Sequence, residues 1–144
     1  MHTTLPARAH ADSPAAGRTP RVAVAGATGY AGQELVRLLA RHPAARLTAA
    51  MASGQTAAAR PLPALARVWR GELTPFDPAA LAGADIVFLA LPDAAAAGLA
   101  PALVAAGTRV VDLSGAFRLR DAAARARWYP ETDAVPERLA FHFP

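Results

Sequence analysis

Three glycines spaced by three, Gly26, Gly29 and Gly32, stand where an apolar run ends and a helical pattern begins. The run is Arg21–Ala25; the helical segment opens at Tyr30 and carries Leu35, Leu38 and Leu39 on one face. Backbone N–H groups in the first turn of a helix have no acceptor within it, and the helix dipole is positive at that end. A pyrophosphate satisfies both, provided no side chain blocks its approach. In this pattern Gly26 permits a tight turn, Gly29 lets backbone approach phosphate, and Gly32 lets the helix pack close. The spacing is one residue longer at its first step than the Gly-x-Gly-x-x-Gly form. A plain flexible turn is the alternative. The strand before the glycines and the helix after them favour nucleotide binding.

A second group lies at 112–119, Asp-Leu-Ser-Gly-Ala-Phe-Arg-Leu. Arg118 is flanked by Phe117 and Leu119 and lies near Ser114, an arrangement suited to holding a fork-shaped cation at a pocket rim for carboxylate or phosphate. The competing reading is an ordinary surface arginine. A third group follows the second apolar run, where dinucleotide folds read the adenosine ribose with an acidic residue. Here the chain reads Ala52-Ser53-Gly54-Gln55-Thr56, without a carboxylate. That leaves room for a 2′-phosphate, with Ser53 and Thr56 as donors and Arg60 as a partner, so NADP is preferred to NAD. A polar surface turn explains the same residues. His42, before Pro43, reads as a helix-end residue.

The elements that must carry these groups alternate. Strands are expected at Arg21–Ala25, Arg46–Met51, Ile86–Leu91 and Arg109–Leu113. Helices are expected at Tyr30–Arg41, Ala79–Ala82, Asp93–Ala106 with an interruption or restart at Pro101, and Ala122–Trp128 after Asp121. Residues 57–78, broken by Pro61, Pro63, Pro75 and Pro78, give no clear period, and Trp69 and Phe76 are expected against the sheet edge or something outside the chain. Ile86–Leu91 is continuous and apolar, as expected of a strand buried on both faces of a parallel sheet. The pattern predicts an α/β fold, a Rossmann-type doubly wound parallel sheet. Pro92, at a strand end, then faces the ligand crevice together with the glycine turn, Ser53 and the 112–118 segment.

Composition excludes several chemistries. The 144 residues carry 15 basic side chains, all arginine, and a net charge of +4. The arginines are scattered without aromatic interleaving, so nucleic acid is not the expected partner. Without lysine there is no Walker lysine and no Tyr-x-x-x-Lys pair. Without cysteine there is no disulfide, thiolate metal site or cysteine nucleophile among these residues. No apolar stretch is long enough to span a bilayer, and residues 1–20 lack the apolar core of a secretory signal. A cytoplasmic protein is expected, with a disordered leader at 1–20, a dinucleotide-binding domain at 21–129 and an irregular tail at 130–144.

Three segments in order, Val-Ala-Gly-Ala-Thr-Gly-Tyr-Ala-Gly at 24–32, Phe-Leu-Ala-Leu-Pro at 88–92 and the 112–119 segment, resemble N-acetyl-gamma-glutamyl-phosphate reductase over about residues 21–129. Aspartate-semialdehyde dehydrogenase is more distantly similar. The resemblance implies an NADPH-dependent reduction of an acyl phosphate to an aldehyde with release of phosphate, through attack by a cysteine thiolate, a thioester and hydride transfer. It implies that Gly26, Thr28, Gly29, Tyr30, Ala31 and Gly32 form the cofactor loop, that Ser53 reads the 2′-phosphate, and that Ser114 and Arg118 contact the substrate phosphate.

The departures from the family pattern matter as much. Gly54 stands where the family often has arginine, and Asp93 where it commonly has histidine; no role for Asp93 follows from the sequence. The catalytic cysteine is missing, and His142 lies in the unmatched tail. The expectation is therefore an N-terminal cofactor domain, without its second, dimerisation and substrate domain, and inactive alone. Homo-oligomers are expected only of a complete protein. A non-catalytic NADP-binding module, an aspartate-semialdehyde dehydrogenase-like fragment and a decayed or frame-shifted coding sequence remain open beside it.

Overall fold

The computed structural model describes residues 17–52 and 58–132. Its strands are β1 (Arg21–Ala25), β2 (Arg46–Met51), β3 (Arg60–Pro61), β4 (Glu72–Thr74), β5 (Ile86–Leu89) and β6 (Arg109–Asp112). Its α-helices are α1 (Tyr30–Leu39), α2 (Pro78–Ala82), α3 (Asp93–Ala105) and α4 (Ala122–Trp128). The strands form one sheet in the order β3-β4-β2-β1-β5-β6.

Every pairing is parallel except β3 with β4. The expected parallel sheet is thus present, with one antiparallel pair added at its edge. β3 has only two residues, and one is Pro61, which has no N–H to donate and is tolerated at an edge. The chain moves outward from β1 on one side through β2 and β4, and on the other through β5 and β6. That is the doubly wound plan, and the order reverses between β1 and β5.

Alternation along the strands separates two apolar layers. Ala23, Ala25, Val87 and Leu89 pack with Leu81 of α2 and with Ala96, Leu99 and Leu103 of α3. Val24 and Ala50 pack with Val36 of α1 and with Leu62, Leu65 and Leu73. Trp69 joins this second layer, so the aromatic expected at the sheet edge does lie there; Phe76 stays partly exposed.

β5 departs from expectation. Val87 and Leu89 are buried, while Ile86 and Phe88 are only partly covered. Phe88 packs only partly against the layer that holds Val36, and its β6 neighbour Val111 is 43% exposed. β5 is therefore fully buried on one face, not both. α3 also departs: it runs unbroken through Pro101. Proline removes one backbone donor, but Ala96, Leu99, Ala100 and Leu103 are buried on both sides of it, and that packing holds the helix together.

Local signals set the other ends. α1 closes with tightened turns, Arg41 N to Leu38 O and His42 N to Leu39 O, and the His42 ring Nδ1 accepts from Ala44 N at 3.1 Å. Asp77 caps α2 through Ala79 N, and Asp121 caps α4 through Ala124 N. Among the described residues no helix is long and apolar enough to cross a membrane.

Candidate functional site

The sheet gathers the candidate residues at one edge. Met51, Ala25, Leu89 and Asp112 are register partners across β2, β1, β5 and β6. All four strands run the same way, so the loops that follow them leave from their C-terminal ends. These ends lead into Gly26–Gly29, Ala52, Pro92 with Asp93 at the start of α3, and Ser114–Arg118. The edge is centred where the strand order reverses, which is the place for a ligand crevice in this class of fold.

The glycine turn begins with Gly26 at φ +88°. A Cβ there would also stand 2.1 Å from the Ala90 carbonyl oxygen, so glycine is required both by conformation and by the approach of β1 to β5. Gly26 N and Ala27 N both donate to Met51 O, at 2.9 and 2.8 Å, which ties the turn to the end of β2. Gly32 is packed in its turn against Gly26: a Cβ on it would meet Gly26 O at 2.1 Å and Ala27 Cα at 2.7 Å. Helix α1 thus starts directly on the loop, and further along it packs through Val36 onto Val24 and Ala50 of the strands behind.

Gly29 is different. Its backbone, φ −75° and ψ 168°, suits any residue, and the nearest atom to a Cβ is Gly26 O at 3.7 Å. Glycine here leaves space. The first helical hydrogen bond runs from Gln33 N to Gly29 O at 2.9 Å, so the amides of Tyr30, Ala31 and Gly32 precede any helical acceptor. No acidic side chain lies in that first turn. Gln33 Nε2 donates to Thr28 O at 2.8 Å and stiffens the loop. Tyr30 is 99% exposed at the helix start. An open cradle, amides facing it and no opposing carboxylate fit a pyrophosphate.

At the end of β5, Leu91 is buried beside Gly26 and Pro92 is the N-cap residue of α3. The loop after β6 is shaped by its own polar groups. Asp112 Oδ1 accepts from Ser114 N at 3.0 Å and its Oδ2 from Ser114 Oγ at 2.7 Å, while Ser114 Oγ accepts from Ala116 N at 3.1 Å. The Ser114 hydroxyl is therefore engaged in the loop itself. Ala116 and Phe117 are buried; Arg118 points its charge outward, exposed and without an ion pair to any described residue.

One contact at this end of the sheet escaped the sequence reading. Asp93 Oδ1 accepts from Gly115 N at 2.7 Å, joining the start of α3 to the loop after β6. The two residues are 22 positions apart, so no local pattern announces the pair. On the other side of Gly115 lies the Tyr129 ring, which a Cβ on Gly115 would strike at 2.1 Å. Ser53 and Thr56 fall outside the described residues, as does His142. Arg60 lies in β3, opposite Leu73.

The opposite edge of the sheet holds the strongest charge cluster described. Asp85 accepts from Arg21 N at 2.8 Å and pairs with Arg18 at 2.9 Å and Arg21 at 3.3 Å. The hydrogen bond from Arg18, together with those from Arg21, holds the Asp85 carboxyl well below the usual carboxylate range. Arg18 falls in the segment read as leader. The cluster lies before β1 and β5 and has no part in the crevice.

Comparison with known proteins bears on this geometry. Residues 21–136 match the family model described as semialdehyde dehydrogenase, NAD binding domain. N-acetyl-gamma-glutamyl-phosphate reductase of Symbiobacterium thermophilum is 48% identical over 126 residues, covering 84% of this chain and 35% of that protein. The Nitrosococcus oceani protein of the same name is 44% identical over 125 residues, covering 83% and 36%. The chain thus spans about a third of the length of these curated relatives. Aspartate semialdehyde dehydrogenase with NADP from Candida albicans superposes with a TM-score of 0.57 at 28% identity, covering 72% of this chain and 32% of that one. Aspartate semialdehyde dehydrogenase II from Vibrio cholerae, at 21% identity and a TM-score of 0.55, shares the fold.

Proposed function

The chain belongs to the family of semialdehyde dehydrogenase NAD-binding domains, and from that premise we propose that it is the cofactor-binding portion of an NADPH-dependent reductase. The reaction is conversion of N-acetyl-glutamyl 5-phosphate to N-acetyl-glutamate 5-semialdehyde and phosphate, a step of arginine biosynthesis in the cytoplasm. The observation that carries this reading is the 48% identity to a protein of that name over 84% of the chain. The 28% identity to an aspartate-specific relative makes that branch the lesser reading.

In this reading the loop Gly26, Thr28, Gly29, Tyr30, Ala31 and Gly32 holds the pyrophosphate, with Pro92 at the facing strand end. Ser53 reads the 2′-phosphate, and the absence of a carboxylate after Met51 favours NADP over NAD. The bound nicotinamide supplies the hydride. Arg118 presents its fork to the phosphate of the acyl phosphate, and Ser114 acts by shaping the loop, since its hydroxyl is bonded to Asp112. None of the 144 residues is cysteine. The thiolate of an acyl-phosphate reduction thus has to come from outside these residues, and the chain alone binds without turnover. Homo-oligomerisation belongs to the protein with its substrate domain.

Calorimetric titration of the 144-residue chain with NADPH and NADH tests the reading. NADPH should bind at least about tenfold more tightly, a difference of ~1.4 kcal/mol. Binding of neither nucleotide overturns it. NADPH oxidation by this chain with an acyl phosphate overturns the requirement for an outside thiolate.

A further inference from the structure

We propose that Asp93 is the positioning residue that sets the loop carrying Arg118 against the crevice, acting as a hydrogen-bond acceptor. This rests on the reading of Arg118 as the phosphate contact. The bonds from Ser114 to the Asp112 carboxylate, from Ala116 N to Ser114 Oγ and from Arg118 N to Gly115 O all lie within seven residues. They give the loop a shape, while Leu113 N bonding Leu89 O at 2.9 Å and the burial of Ala116 and Phe117 in the layer that holds Ala96 and Leu99 anchor its two ends to β5 and α3.

Asp93 adds a polar tie at Gly115, between these anchors. It is the first residue of α3, where the dipole favours a carboxylate. It reaches across to Gly115 N at 2.7 Å, a short, charge-assisted bond. Gly115 is buried, with the Tyr129 ring against the place where a Cβ would be. The loop is thereby held between a carboxylate and an aromatic ring, three residues before the exposed guanidinium it presents. Without the tie the loop samples other placements, and the apparent affinity for an anion falls by the fraction that remains competent.

The role needs an acceptor, and it does not need a charge. Asparagine retains a carbonyl oxygen at the same position and alanine does not. The test uses the full 144-residue chain labelled with ¹⁵N and titrated with inorganic phosphate in the presence of saturating NADPH, with the Gly115 and Ser114 amides as reporters. D93A should weaken phosphate binding by about tenfold, corresponding to a competent fraction of about one tenth. D93N should stay within about threefold of the parent, as an acceptor that keeps the bond requires. R118A should lose the response at these amides.

Equal phosphate affinity in D93A and the parent overturns the proposal. So does a D93N loss as large as that of D93A, because the charge would then matter and the acceptor would not. If R118A binds phosphate like the parent, or the parent shows no phosphate response while binding NADPH, the reading of Arg118 fails and the role of Asp93 fails with it. NADPH titration of the parent reports on the glycine loop separately.

Discussion

Gly26 lies so close to Ala90 that a Cβ on it would stand 2.1 Å from the Ala90 carbonyl oxygen. The contact joins the ends of the two strands between which the sheet order reverses. It makes the first glycine of the loop a structural requirement before any ligand is considered. G26A adds a backbone clash to a φ of +88°. It should destabilise the fold by about 2–4 kcal/mol, read as a lower urea midpoint, and weaken NADPH binding with it. A midpoint equal to that of the parent would show that β1 and β5 can part without cost.

Gly29 should behave in the opposite way. Its dihedrals suit an L residue and its surroundings are open. G29V should keep the circular dichroism spectrum and a midpoint within about 1 kcal/mol of the parent, while the branched side chain fills the cradle and abolishes cofactor binding. NADPH affinity equal to the parent's would remove the loop from the site.

Asp85 ties stability to acid. Its folded pKa lies below the unfolded value of about 3.9, because the Arg18 and Arg21 bonds favour the carboxylate. The contribution is present in full above that unfolded value. It is lost as pH falls from about 4 through the folded pKa, since the unfolded state takes up the proton first. Arg18 is about half exposed, so solvent screens the pair and the total is about 1 kcal/mol. D85N should be less stable at pH 7 by that amount and flatter in its acid limb. An unchanged slope of stability between about pH 4 and pH 2 would put the acid sensitivity elsewhere.

Pro101 is a defect carried inside α3. P101A restores a backbone donor toward Ala97 O and removes a ring that crowds that carbonyl. Some of the gain is offset because the unfolded chain becomes more flexible. A net stabilisation of about 1 kcal/mol is expected by urea unfolding. A loss of stability would show that the proline ring packs well enough to outweigh the missing bond.

Much of the frame was legible in the chain. β1 and β2 lie at Arg21–Ala25 and Arg46–Met51, as the apolar runs indicate, and α4 starts after Asp121. Such limits follow from periodicity and capping, which act over a few residues and leave a local trace. Where local signals conflicted, packing settled the outcome. Pro101 argued for a break that the buried residues around it overrode. Ile86–Leu91 read as buried on both faces, although only Val87 and Leu89 of β5 are fully buried while Ile86 and Phe88 are partly covered.

The sequence by itself determined the strand, glycine turn and helix of the first βα unit, the two-sided apolar plan and the absence of a thiol. Each is a matter of residue type or short spacing. Only the tertiary structure decided that Gly26 meets Ala90, that Asp93 holds Gly115 and that Arg21 and Arg18 meet at Asp85. These partners lie far apart in the chain and are brought together by parallel crossovers. Contacts between distant segments depend on how the layers stack, and they leave no period in the sequence from which to read them.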